Sequence, residues 1–204
     1  MPEIVTPGQT MILVALLSYL VGSIPFGVLV TRAMGLGDLR RIGSGNIGAT
    51  NVLRTGNRGA ALATLLLDGA KGAVAVLVAR AAIGAEDAAQ LAAFAAFVGH
   101  LWPVWLGFKG GKGVATFLGT LIALSWPVGL AACATWALGA ALTRISSAAA
   151  LIAAATVPIW LWTFDNGRML LLTLVLTILI YIRHAANLAR IRAGTEPKIG
   201  AKKG

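Results

Sequence analysis

The sequence predicts an all-α integral membrane protein with seven transmembrane helices, some short, the N-terminus outside and the C-terminus in the cytoplasm. Three observations predict it. Hydrophobic residues make up 58 % of the 204 positions and mean hydropathy is +0.84, against the roughly 45–50 % apolar usage of soluble domains. Apolar runs long enough to cross a bilayer alternate with charged or glycine-rich connections. The Lys and Arg residues fall almost entirely in alternate connections, the asymmetry that sets membrane orientation. Residues 1–204 read as a single transmembrane domain.

Taken in order, spans are expected at about residues 10–31, 59–82, 88–107, 113–125, 127–143, 147–162 and 169–185, followed by a cytoplasmic tail at 186–204. The first carries no Lys or Arg ahead of its apolar run and has Glu3 there, so it reads as a retained anchor and not a cleaved signal. The fourth and fifth need argument, because Pro127 lies near the middle of the apolar stretch from Val114 to Leu142, which fits one kinked helix or two short ones. Charge decides. With two helices, fourteen of the 17 Lys and Arg side chains face the cytoplasm, among them Arg54, Lys112, Arg144, Arg183, Lys202 and Lys203. Only Arg80 and Arg168 then lie outside, with Lys71 inside a span. Six spans would put either the Lys109–Lys112 loop or the Arg144 loop on the wrong face. Helices of ~14 residues reach only about 21 Å, short of a ~30 Å hydrocarbon core. The loop at Lys112 is therefore expected to dip into the membrane, where irregular backbone survives only inside protein or a wet cavity.

Composition excludes other classes. The formal charge of +10 is explained by topology, and few aromatics stand near the charges to stack bases, so no nucleic-acid partner is expected. Cys133 is the only cysteine, which rules out an intrachain disulfide and argues against redox chemistry.

Three cytoplasmic segments hold nearly all the unusual residues. "GSGNIGATNVLR", Gly43 to Arg54, combines glycines able to adopt turn conformations with side-chain donors, the makings of a backbone nest for phosphate. Arg54 adds a planar fork that matches two phosphate oxygens. "GFKGGKGVAT", Gly107 to Thr116, resembles a phosphate-binding loop without fitting it: Gly107 to Lys112 is one residue short of G-x-x-x-x-G-K, and Gly113 stands where Ser or Thr would hold magnesium. Its glycines still allow close approach, Lys112 supplies a point charge, and the helix that follows presents its positive end to an anion. Lys109 fits a lipid headgroup equally well. "RHAANLARIR", Arg183 to Arg192, puts His184 and Asn187 on one helical face as a base or substrate ligands.

Lesser features have simpler readings. Asp68 and Lys71, one turn apart in "LLDGAKG", are expected to pair inside the bundle. His100 reads as a satisfied intramembrane histidine. Ser146 and Ser147 in "TRISSA" suit either helix caps or phosphate donors.

Conventional catalytic machinery is missing. Trp105 and Ala189 stand five positions after His100 and His184, so there is no H-x-x-x-x-D pair, and there is no metal cluster, G-x-S-x-G elbow or spaced carboxylate pair. Neither metal nor cofactor is expected. "SGNIGATN…LR", "LLDGAKG", "GHLWPVWLGFKGGKGVAT" and the C-terminal H-x-x-N resemble, in order and over most of the chain, the signature blocks of the bacterial acyl-phosphate:glycerol-3-phosphate acyltransferase family.

The resemblance implies a seven-span enzyme of the bacterial inner membrane, its active site facing the cytoplasm. Such an enzyme moves a fatty acyl group from acyl phosphate to the 1-hydroxyl of sn-glycerol 3-phosphate, giving lysophosphatidic acid and phosphate. Carried over by position, Ser44, Arg54, Lys112, His184 and Asn187 would hold glycerol 3-phosphate and the reacting centre. Asn46, Thr50, Gly45, Gly48, Gly110, Gly111 and Gly113 would cradle phosphate, with Ser146 a weaker candidate because "TRISSAAA" departs most from the family pattern. The expected partners are the two substrates and membrane lipids, and the expected state is a monomer. An acyl phosphate is already activated, so positioning and charge stabilisation can drive the reaction without an enzyme nucleophile. The hydroxyl proton would go to His184 or to a substrate phosphate. A transporter for a small organic phosphate is the alternative from another class, though such carriers usually show duplicated halves. An acyltransferase fed by thioesters would keep the acceptor and change the donor.

Overall fold

The computed structural model describes residues 1–200, so Lys202 and Lys203 lie outside the described residues. Ten α-helices and four 3₁₀ turns account for the regular structure among them, with no strand: α1 Gly8–Gly22, α2 Phe26–Ala33, α3 Ala49–Val52, α4 Arg58–Ile83, α5 Glu86–Leu101, α6 Val114–Leu124, α7 Trp126–Thr143, α8 Ser146–Thr163, α9 Leu170–Arg183 and α10 Ala185–Arg192. Five stretches are long and apolar enough to cross a membrane: Gly8–Ala33, Arg58–Ile83, Glu86–Leu106, Trp126–Thr143 and Ser146–Thr163. A sixth appears if Gly167–Arg183 and Ala185–Arg192, bent by 63°, form one span. The remaining apolar helix, α6, has 11 residues and at about 16 Å is too short to cross alone.

Two breaks have local causes. Ser125 is extended (φ −152°, ψ 102°) and Pro127 sits in the first turn of α7, so α6 and α7 are separate helices. Pro25 breaks the first apolar stretch into α1 and α2. At the break the Ile24 carbonyl accepts from Phe26 N at 3.1 Å and from Lys71 of α4 at 2.8 Å, the lysine also pairing with Asp68 at 2.8 Å. In lipid that carbonyl has no water to turn to, so the buried lysine acts as an internal cap.

Helix α5 is the centre of the bundle, with Ala88, Ala89, Ala92, Ala93 and Ala96 fully buried. Small residues set its approach to α1: a β-carbon at Gly22 would strike the Ala96 backbone, and one at Gly99 the Tyr19 carbonyl. Phe97, Leu101, Phe117, Leu121, Val157 and Leu176 knit α5, α6, α8 and α9 into the main core. Large residues such as Ile12, Leu16, Leu62 and Leu66 point outward, as a lipid-facing surface requires.

The two ends of the bundle differ. At one, Asp87 accepts from the Val5 and Thr6 amides at 2.8 Å, and Arg80 pairs with Glu86 at 2.8 Å while capping the Ala123 and Leu124 carbonyls at the end of α6. The three polar segments gather at the other. Helix α6 starts level with Asp68, whose carbonyl accepts from Thr116 Oγ1 at 2.9 Å. Asp68 stands about 15 Å along α4 from Arg58, so the glycine loop before α6 reaches deep into the bundle.

Candidate active site

The first segment is organised by a residue that sequence reasoning passed over. Asn51, buried on α3, donates through Nδ2 to the Leu39 and Ile42 carbonyls at 3.0 and 2.9 Å. Its Oδ1 accepts from the Ser44 amide at 3.0 Å, the Ser44 hydroxyl at 3.3 Å and Arg54 Nη1 at 3.3 Å. One amide thus places two candidate ligands. Val28, Leu39, Ile47, Val52 and Ala60 form a small apolar floor beneath the loop. The Asn46 Oδ1 accepts from Gly48 N at 3.0 Å, so only its Nδ2 remains to serve an anion. Thr50 and Ser146, the weaker candidate, meet across the cluster with hydroxyl oxygens 3.1 Å apart. Ser146 caps nothing, because the N-cap of α8 is Ile145.

The second segment is a loop pressed against His100. Gly111 N donates to the His100 carbonyl at 3.1 Å, and a β-carbon at Gly111 would collide with His100 Nε2. Gly113 caps α6 with φ +83° and its Cα faces the Phe97 ring, so both backbone geometry and space demand glycine there. The Gly45, Gly48 and Gly111 amides, expected to face phosphate, are engaged with Ile42 O, Asn46 Oδ1 and His100 O. Among the described residues this leaves the Gly110 and Gly113 amides for a ligand, beside the uncapped start of α6. Lys109 is exposed and apart from this arrangement.

Arg183, counted in the sequence only as a topology charge, is the staple. It donates from Nε to Gly111 O at 3.1 Å and from Nη2 to Gly110 O at 3.1 Å, with its guanidinium 5.8 Å from the Trp102 ring centroid. The next residue, His184, closes α9 and is buried, its Nδ1 2.8 Å from the Ile180 carbonyl. A carbonyl only accepts, so Nδ1 carries the proton and Nε2 the lone pair.

One turn on, the buried Asn187 accepts from Lys112 Nζ through Oδ1 and donates through Nδ2 to Glu196 Oε1. Glu196, also missed, accepts further from Ser147 Oγ at 2.7 Å and Arg190 Nε at 2.6 Å. Burial drives the Lys112 ammonium down to about 8; Glu196 opposes this, while Arg190, Arg54 and Arg183 reinforce it. For Glu196, burial raises the carboxyl, but hydrogen bonds from Ser147, Asn187 and Arg190 outweigh it and hold it below its ordinary value. Lys112, on the second segment, thus lies within electrostatic reach of cations from the other two.

Beneath the loop, Asp68, Lys71 and His100 form a buried group. The expected ion pair is present, with Lys71 Nζ 2.8 Å from Asp68 Oδ1; His100 Nδ1 stands 3.6 Å from the same oxygen and has no hydrogen-bond partner among the described residues. An open groove of about 410 Å³, lined by Ile24, Val28, Leu29, Arg32, Arg40 and Trp105 among others, runs beside the first segment.

The arrangement can hold anions close together: four cations, hydroxyls, amides and one imidazole lone pair, without a positioned nucleophile. Comparison with known proteins agrees. Residues 12–194 match the family model described as glycerol-3-phosphate acyltransferase. The chain is similar to proteins of that name from Cereibacter sphaeroides, 68 % identical over 99 % of this chain and 96 % of the relative. The one from Ruegeria pomeroyi is 65 % identical over 99 % of each. Among solved structures it is similar to PlsY, an integral membrane glycerol 3-phosphate acyltransferase, in its glycerol 3-phosphate form (TM-score 0.86, 35 % identity, 94 % of this chain and 96 % of that one). The lysophosphatidic acid form matches with the same TM-score at 34 % identity. With the family model covering nearly the whole chain and these relatives aligned end to end, the chain belongs to the glycerol-3-phosphate acyltransferase family.

Proposed function

We propose that this acyltransferase transfers a fatty acyl group from acyl phosphate to the 1-hydroxyl of sn-glycerol 3-phosphate, giving lysophosphatidic acid and inorganic phosphate, the first acylation of phospholipid synthesis. The observation that carries the reading is the linked group Lys112–Asn187–Glu196–Arg190, with Arg54 and Arg183 close enough to act on the Lys112 charge and no nucleophile among them. A cationic pocket of this kind brings two phosphorylated substrates together and neutralises their repulsion. The substrate hydroxyl attacks the acyl carbon, the new ester C–O bond forms, the anhydride C–O bond breaks, phosphate leaves, and the hydroxyl proton passes to His184 or to a substrate phosphate. Ser44, Arg54, Lys112, His184 and Asn187 hold glycerol 3-phosphate and the reacting centre, while the Gly110 and Gly113 amides face a phosphate. The acyl chain lies along the apolar groove beside Arg40 and Trp105, entered from the bilayer.

The proposed setting is the inner membrane, crossed seven times by a single domain, with the polar cluster on the cytoplasmic side. The clustering of basic residues at one end of the bundle supports this, and so does α6, which runs from mid-bundle to the Arg80 end beside a deep loop.

The test is an assay of purified protein with palmitoyl phosphate and labelled glycerol 3-phosphate. The expected result is stoichiometric lysophosphatidate and phosphate, with little product when acyl-CoA or acyl carrier protein replaces the acyl phosphate. Product from thioesters alone would move the donor. Glycerol 3-phosphate uptake into liposomes without phosphate release would replace the enzyme with a carrier.

A further inference from the structure

The last described residues fold back onto the site. Gly194, at φ +70°, turns the chain, Thr195 N donates to Arg190 O at 2.9 Å, and Ile199 N donates to Arg144 O at 2.7 Å. Between these ties Glu196 points inward, its side chain only 7 % exposed. It is one of seven acidic residues in the chain and the one whose carboxylate sits within the Lys112–Asn187 group.

Its contacts impose a direction. Asn187 stands between an ammonium and a carboxylate, and only one orientation of its amide satisfies both: NH2 toward Glu196 and oxygen toward Lys112. The reverse would set an oxygen against a carboxylate and an NH2 against an ammonium. Without Glu196 only the Lys112 contact favours that orientation, and Lys112 is left facing Arg54, Arg183, Arg190 and the imidazole of His184.

We propose that Glu196 is a positioning residue: its carboxylate fixes the Asn187 amide so that Lys112 is held, charged and aimed, at the place where a substrate phosphate binds. The proposal rests on the cluster being the phosphate site. A second consequence does not depend on that reading. Glu196 opposes the burial that brings Lys112 to about 8, so removing its charge moves Lys112 lower still.

The experiment compares wild type with Glu196→Gln, Glu196→Ala and Glu196→Asp. Amine acylation of Lys112 in the unliganded protein is followed by mass spectrometry against pH. The labelling midpoint falls by about one unit in Glu196→Gln and Glu196→Ala, the low end of the shift of about 1–3 units that a nearby opposite charge gives. In the acyl-phosphate assay, kcat/KM for glycerol 3-phosphate falls about tenfold in Glu196→Ala, the size of a lost charge-assisted hydrogen bond, and Glu196→Asp recovers part of it. The alkaline limb of the pH profile shifts down with the labelling midpoint. An unchanged midpoint overturns the proposal. So does a lower glycerol 3-phosphate KM in Glu196→Ala, which would make the carboxylate a competitor for the phosphate's place. If Glu196→Ala fails to fold, the near-isosteric Glu196→Gln decides. Wild-type protein that labels as expected but makes no lysophosphatidate would defeat the proposed function and leave the positioning role standing.

Discussion

Lys112 is where the three polar segments meet, and its environment makes it sensitive to pH. Burial has brought its ammonium down to about 8, so the free site loses this charge as pH rises through that value. The expected outcome is that kcat/KM for glycerol 3-phosphate falls about tenfold per unit above about pH 8, measured in steady-state assays; a level profile to pH 10 would remove Lys112 from anion binding. Lys112→Ala should lower kcat/KM by about a hundredfold or more while the protein stays folded, the scale seen for lost charge-stabilising donors. His184 offers a sharper division. Its Nδ1 is committed to the Ile180 carbonyl, so Nε2 is the lone pair available to the substrate hydroxyl. If it takes the proton, His184→Gln lowers kcat by about 10²–10⁴; if a substrate phosphate takes it, the loss stays within about tenfold. Arg54 and Lys112 were legible as cations in glycine-rich loops, His184 and Asn187 as polar residues sharing one helical face, and Ser44 through the family resemblance. Asn51, Arg183 and Glu196 were not. Their work is positional: Arg183 reaches partners 72 and 73 residues away, and Glu196 reaches Ser147 across 49. A spacing pattern carries no trace of such contacts.

At the scale of elements, α6 is the piece on which the site depends, because it carries the uncapped helix start and anchors the loop before it. It lies on α4 at glycine distance: a β-carbon at Gly119 would strike the Gly69 backbone, and one at Gly72 the Thr116 and Thr120 side chains. Backbone cannot yield as a side chain does. Gly119→Val should therefore destabilise the protein by at least the ~1–3 kcal/mol of ordinary overpacking, read as a lower unfolding temperature in detergent, with activity lost in parallel. Gly111→Ala acts differently. Its methyl would meet the His100 ring, which is fixed on α5, so the loop gives way and activity should fall more than thermal stability; equal losses in both would show the loop to be structural. In the sequence Pro127 left open one kinked helix or two, and the charge asymmetry decided for the α6–α7 break. The break at Pro25 was hidden because the apolar run continues through it, and the Ile24 carbonyl at the break is satisfied by Phe26 N and Lys71.

For the whole molecule, orientation is the open physical question that charge answers. Basic residues gather at the end holding Lys112, whereas Arg80 and Arg168 stand at the other. In a Cys133→Ala background, single cysteines at Arg144 and Lys198 are expected to react with an impermeant thiol reagent only after the inner membrane is opened. Cysteines at Asp165 and Glu3 should react in intact spheroplasts. Labelling of both sets from the same side would invert or abolish the proposed seven-span topology.

The sequence by itself determined what depends on local chemistry. Apolar composition demanded helices, Pro127 and the glycine runs set breaks, and the three donor-rich segments stood out because lipid-facing helices have no use for them. Tertiary structure decided what depends on distance. It brought Arg54, Lys112 and Asn187 together, engaged the Gly45, Gly48 and Gly111 amides internally, and folded Glu196 back beside Lys112. The reason is physical: propensity and polarity are properties of a few neighbouring residues, whereas a hydrogen bond between helices exists only once packing has fixed both.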